Sequence, residues 1–224
     1  MSLDQIPSKR RLEMYKALKI SGLLFLSYLA LTLSVVFNTP IRTFDQWVHK
    51  IDMPNFPWIW EFTIRRIDNL GLRGLTAPIL IILAIFIGRR FQSWRPLNLA
   101  ILAILLLNLL VGASKIGFGR TKPRLKIDEL FADGLSYPSG HSSNALLTWG
   151  LMAYFIYRYT HKEPFQGFRL RWAVAVISLA VCAASILRDT HWVSDLIGGL
   201  FVGGAILVLV IAIDRAWPSK KQPS

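Results

Sequence analysis

Acidic side chains are scarce in this chain. Its 224 residues hold 13 Asp and Glu against 26 Lys and Arg, a formal net charge of +13. In a soluble protein that excess would point to nucleic acid. Charge of either sign, however, is missing altogether from residues 20–37, 74–88, 97–114, 141–157, 172–187 and 196–213. These runs approach the roughly 20 apolar residues that a bilayer crossing needs. They exclude an ordinary soluble domain and predict an all-α, polytopic membrane protein with six transmembrane helices. Basic residues at helix ends then set orientation and meet anionic lipid, and no nucleic-acid partner is expected. Cysteine is nearly absent too. Cys182 stands alone, which excludes an intramolecular disulfide and leaves a packing role in the fifth helix. Nor does the N-terminus read as a cleavable leader. The first apolar stretch is longer than a signal h-region and has no A-x-A-like exit, so it reads as an uncleaved first helix. There is no internal repeat and no low-complexity tract.

Charge placement orients the chain. With the N-terminus in the cytoplasm, the inside segments carry 15 basic and four acidic residues, and the outside segments 11 basic and nine acidic. That bias puts both termini inside. The chain then divides into a basic cytoplasmic lead (1–19), a six-helix domain (20–214) and a cytoplasmic tail (215–224). The external stretch from Asn38 to Asn69 contains "MPNFPWIWEFTIRRID". Trp58, Trp60 and Phe62 with Arg65 and Arg66 fit either a short helix lying at the interface or a loop with an aromatic belt. Trp94, Trp172, Trp192 and Trp217 fall at helix ends, where indole rings favour the interface.

Three polar clusters interrupt the apolar chain, and all fall on the external side. The first holds Lys115, Arg120, Lys122, Arg124 and Lys126, with Gly117 and Gly119 between them. It fits an anion site or a polybasic patch on lipid headgroups. Asn108, Gly112 and Lys115 share one helix face, which turns it into the bundle. In the second, "SYPSGHSSNALLTW", Pro138 suits a helix entrance, Ser139 an N-cap, and Gly140 a close approach to the backbone. Free N–H groups there form an anion site. His141, Asn144 and Thr148 continue as a polar stripe. The alternative is a capped helix with a satisfied interfacial histidine. In the third, "LRDTHWVSD", His191 and Asp195 are spaced to lie on one helical face. The carboxylate would fix the imidazole tautomer and leave the other nitrogen as base, nucleophile or ligand, unless the pair only closes a helix end. His141, His191 and Asp195 could also ligate zinc, but the surrounding cations disfavour a divalent ion. Gly199 and Gly203 read as a close helix contact.

Three cations about 7 Å apart repel by roughly 7 kcal/mol at an effective dielectric of about 20. A phosphate dianion about 4 Å from each gains roughly 25 kcal/mol before desolvation. The sign favours a bound anion.

Together the clusters resemble the type 2 phosphatidic acid phosphatase superfamily, whose pattern is K-x6-R-P, P-S-G-H and S-R-x5-H-x3-D. Here "KIGFGRTKP" runs from Lys115 to Lys122-Pro123, Pro138 to His141 are intact, and His191-x3-Asp195 is kept. Lys122 replaces an arginine, keeping the charge but losing its bidentate fork. The third-motif arginine falls at Ser185. Arg188, nearly one helical turn later, stands in reach of the same phosphate. The resemblance implies a metal-independent lipid phosphatase with no cofactor. His191 would be the nucleophile, Asp195 would orient it, and His141 would serve as acid and then base. Lys115, Lys122, Ser139, Gly140 and Arg188 would hold the phosphoryl oxygens. It also implies a lipid phosphate or polyprenyl pyrophosphate substrate. The charge count puts the site on the external face, and the compact chain points to a bacterial inner membrane. The rival readings are a phosphotransferase on the same fold and a non-catalytic lipid-phosphate binder.

Overall fold

A computed structural model describes residues 8–51, 56–159 and 164–216. Residues 1–7 of the basic lead, Lys162 and Glu163 of the predicted cytoplasmic linker, and the tail from Trp217 to Ser224 lie outside the described residues. The described chain is all-helical. α1 spans Ser8–Val36, α2 Pro40–Lys50, α3 Trp58–Asn69, α4 Arg73–Arg90 and α5 Arg95–Phe118. A 3-10 turn follows at Pro123–Leu125. Then come α6 (Gly140–Asn144), a π-helical segment (Ala145–Trp149), α7 (Gly150–Tyr159), α8 (Pro164–Leu187) and α9 (Val193–Ala216).

Long uncharged runs become helices because a backbone in hydrocarbon must satisfy its own hydrogen bonds. Four helices are long and apolar enough to cross a membrane: α1, α5, α8 and α9. A bent pair, α3 with α4 at 50°, makes a fifth candidate. The expected span over 141–157 falls on α6, the π segment and α7, each of which is shorter than a crossing. Among the described residues, the stretch expected to be external forms α2 and α3, and Trp58, Trp60 and Phe62 lie exposed on the helix α3 rather than on a loop.

α9 is the central element, packed against α1, α5 and α6, while α4 lies on α5 and α3 on α8. The core contains Leu80, Leu107, Leu147, Phe155, Val202 and Val210. Apolar side chains also cover the outside, among them Leu23 and Leu26 of α1, Phe86 of α4, Leu109 of α5 and Leu179 of α8. The close contact expected at Gly199 is real. A Cβ there would lie 2.2 Å from Ser142 Oγ and 2.5 Å from Ser139 O, so α6 rests directly on α9. At the other end of the bundle Asp214 of α9 accepts from Arg95 Nε of α5 and, at 2.6 Å, from Tyr154 Oη of α7. The Asp214 carboxylate thereby joins three helices, by an ion pair to α5 and a hydrogen bond to α7.

Candidate active site

α5 ends where Gly119 takes a left-handed conformation (φ 50°) and donates its N–H to Lys115 O at 3.0 Å. Glycine adopts this geometry without a Cβ penalty. The turn sends Arg120 inward. The loop beyond then closes on α5's end through Phe131 N–H to Phe118 O (2.8 Å) and Ser136 N–H to Arg120 O (3.0 Å). The first and second polar clusters thereby meet.

The second cluster caps α6 as its composition suggests. Ser139 Oγ accepts the Ser142 N–H at 3.3 Å, and the Ser139 N–H donates to Asp195 O at 2.9 Å. A Cβ at Gly140 would meet only Lys115 Cε, at 4.0 Å, so the space before this helix start is open. The polar stripe is satisfied locally: Asn144 Nδ2 donates to Gly140 O (2.8 Å) and Thr148 Oγ1 to Asn144 O (2.6 Å). These two residues serve their own helix rather than the site.

The imidazoles of His141 and His191 face each other, with ring centroids 5.8 Å apart. His191 is buried just ahead of α9. Its Nδ1 lies 3.6 Å from Asp195 Oδ2 and 3.5 Å from Ser136 Oγ. Nε2 of His191 has no partner among the described residues. Asp195 is the first-turn acid of α9, and its Oδ2 accepts from the Trp192 N–H at 3.0 Å and from Ser136 Oγ. This is the returning half of a capping box. Its Oδ1 accepts from Arg120 Nη1 at 2.7 Å. Both carboxylate oxygens are therefore fixed.

Lys115 donates Nζ to Leu135 O, and Lys122 lies within electrostatic reach of it. Arg188 donates Nη1 to Asp68 Oδ2, and its charge reaches His141. These contacts link Lys115, Lys122, Gly140, His141, Arg188, His191 and Asp195 into one cup-like cluster, while Ser139 is fully buried at the start of α6. Ser185, at the family's arginine position, is fully buried and donates Oγ to Asp68 Oδ1 at 2.6 Å.

Arg120, one of the five cations of the first cluster and outside the expected phosphate-binding set, is not open to an anion. Its side chain is 0% exposed and donates to Asp45 Oδ2 (2.8 Å), Asp128 Oδ1 (2.8 Å), Ser194 Oγ (2.7 Å) and Asp195. Trp192 is not an interfacial anchor either. It is buried, donates Nε1–H to Thr121 O at 2.8 Å, and carries the Arg120 guanidinium 5.2 Å above its ring. A buried indole keeps its place because its one donor is satisfied.

Sequence reasoning missed the carboxylates that hold these arginines. Asp45 on α2 accepts Ser194 N–H at 2.9 Å, at the start of α9. Burial pushes its pKa above the ordinary carboxylate range, against the pull of Arg120 and Ser194. Asp128 is the opposite case. Burial raises it, but hydrogen bonds and charge from Arg120 and Arg42 outweigh that and hold it below the ordinary range. The available signal was the nine acids on an otherwise cationic face. Among the described residues, no three His, Cys, Asp or Glu side chains group as a metal site requires.

The chain as a whole is similar to known proteins. The family pattern described as the PAP2 superfamily matches residues 96–218. The chain is 26% identical over 196 residues to phosphatidylglycerophosphatase B of Bacillus subtilis (strain 168), covering 86% of this chain and 93% of that protein. Its fold matches the crystal structure of a transmembrane PAP2-type phosphatidylglycerolphosphate phosphatase from Bacillus subtilis. The TM-score is 0.75 at 24% identity, over 87% of this chain and 95% of that one.

Proposed function

The chain belongs to the PAP2 superfamily, and on that premise we propose that it is an integral membrane phosphatase that hydrolyses lipid phosphate or pyrophosphate monoesters through a phosphohistidine. The carrying observation is the pair of facing imidazoles, 5.8 Å apart, one of them backed by a fixed carboxylate. With Nδ1 turned to Asp195, His191 offers Nε2 to phosphorus. The N–P bond forms as the P–O bond to the lipid breaks, and His141 gives the leaving oxygen its proton. His141 then takes a proton from water, which attacks the phosphohistidine, releases phosphate and restores His191. Lys115, Lys122, Arg188, Ser139 Oγ and the Gly140 N–H hold the phosphoryl oxygens and stabilise the charge that builds on them. No metal takes part.

The names of the relatives make phosphatidylglycerophosphate the first substrate to test, before phosphatidic acid and polyprenyl pyrophosphate. We further propose six crossings with α6 to α7 as the fourth, both termini cytoplasmic, and the cup on the external face of a bacterial inner membrane. Lipid then enters sideways from the outer leaflet.

Phosphate release from these three lipids in detergent tests the reading, with His191→Ala as the control. Release that stops in the variant, persists with chelator and is inhibited by vanadate is expected. Vanadate mimics five-coordinate phosphorus. Full release by the variant overturns the histidine mechanism. Release only when an acceptor alcohol is added would make the protein a phosphotransferase, and no release with retained lipid binding would make it a carrier.

A further inference from the structure

Asp68 is a fully buried carboxylate inside a cup otherwise built for an anion. It comes from α3, far from the motifs in sequence. Its Oδ1 accepts from Ser185 Oγ at 2.6 Å, and its Oδ2 accepts from Arg188 Nη1. The same Oδ2 lies 4.0 Å from His141 Nε2. A buried acid costs free energy unless it is paired, and here every partner is a residue of the site or stands at a motif position.

The arrangement also accounts for the displaced arginine. At the motif position stands Ser185, too short to reach a phosphate. The guanidinium comes instead from Arg188, nearly a turn later, and its side chain is 30% exposed. An arginine so placed has many rotamers, and a phosphate gains most from one already aimed. Asp68 supplies the aim. It grips Nη1 and leaves Nε and Nη2 of Arg188 without a partner among the described residues. Ser185 in turn fixes the other oxygen of the carboxylate. Serine and aspartate together hold an arginine that arrives from outside the motif.

We infer that Asp68 is a positioning residue for phosphoryl transfer, acting through Arg188 and held by Ser185. This rests on the reading of the cup as a phosphatase site. Removing Asp68's charge frees Arg188 to swing away, and the loss falls on the transition state rather than on substrate binding.

A double-mutant cycle in full-length protein in detergent tests this by phosphate release. Asp68→Asn lowers kcat about tenfold with KM within about twofold, and Asp68→Glu recovers part of the loss. In an Arg188→Ala background Asp68→Asn changes kcat by less than about twofold, because neighbours acting as a unit are not additive. Wild-type turnover in Asp68→Asn, or losses that multiply in full, overturns the inference. If Asp68→Asn melts far below wild type, Ser185→Ala takes its place, with a smaller loss, about threefold, that vanishes without Arg188. His191→Ala separates the two levels. If it retains phosphate release, the phosphatase reading fails. If it is dead while Asp68→Asn is fully active, only the role of Asp68 fails.

Discussion

Arg120 and Arg188 stand in one cup and differ in almost everything but charge. Arg120 is sealed and meets three carboxylates, a serine hydroxyl and an indole face. Arg188 is partly open and meets one carboxylate. A cation whose donors are all taken holds other groups in place. A cation with donors to spare can take a ligand. Arg120 holds Asp195, whose Oδ2 lies 3.6 Å from Nδ1 of His191. Arg188 keeps Nε and Nη2 without a partner among the described residues, as the proposed grip on a phosphoryl group requires.

The largest effect expected from breaking this contrast is at Arg120. Arg120→Ala leaves Asp45 and Asp195 buried without their cation and Asp128 with Arg42 alone, a loss of about 3–5 kcal/mol or more. Little folded protein should survive extraction, as size-exclusion profiles and melting curves would show. Arg120→Lys should fare nearly as badly, since one ammonium cannot reproduce a planar fork among three acids. Near-normal melting in either variant would remove Arg120 from its organising role.

Next comes Arg188→Ala. It should lose about 10²-fold in kcat/KM, about 2.7 kcal/mol of transition-state stabilisation, and melt below wild type by less than Arg120→Ala does, because only Asp68 loses its cation. A drop in stability with unchanged turnover would reverse the assignment. Arg124 sharpens the comparison. It is exposed, and its backbone N–H donates to Asp189 O at 3.2 Å. Arg124→Ala should leave turnover within about twofold, as surface changes away from a site usually do.

The smallest effect is a pH dependence at Asp128. Its carboxyl sits below the ordinary range in the folded protein. Its stabilisation is therefore complete above the unfolded value of about 4 and is lost as pH falls through the lower folded value. Melting temperatures of wild type and Asp128→Asn should differ at neutral pH and converge toward pH 3. A gap that stays constant would show that charge is not what Asp128 contributes.

Much of the cup was legible in the sequence because its signals are local. Pro138 to His141 announce a capped helix start, and the spacing of His191 and Asp195 is one helical turn. What escaped was set by distant chain. Asp45 meets Arg120 across 75 residues and Asp68 meets Arg188 across 120. No periodicity links such pairs. The same holds for Trp192. Its place at a helix end suggested the interface, but Arg120 and Thr121 hold it inside. The external stretch was only half legible, because amphipathic helix and aromatic loop share a composition, and the packing of α3 on α8 decides between them.

The π-helical stretch Ala145–Trp149 amounts to one residue more than ordinary winding allows. One residue is about 100° of rotation in an α-helix. The overfilled coil therefore sets the phase between α6, which carries the imidazole of His141, and α7. Deleting a single amino acid there, with no polar group touched, would turn that ring away from its partner.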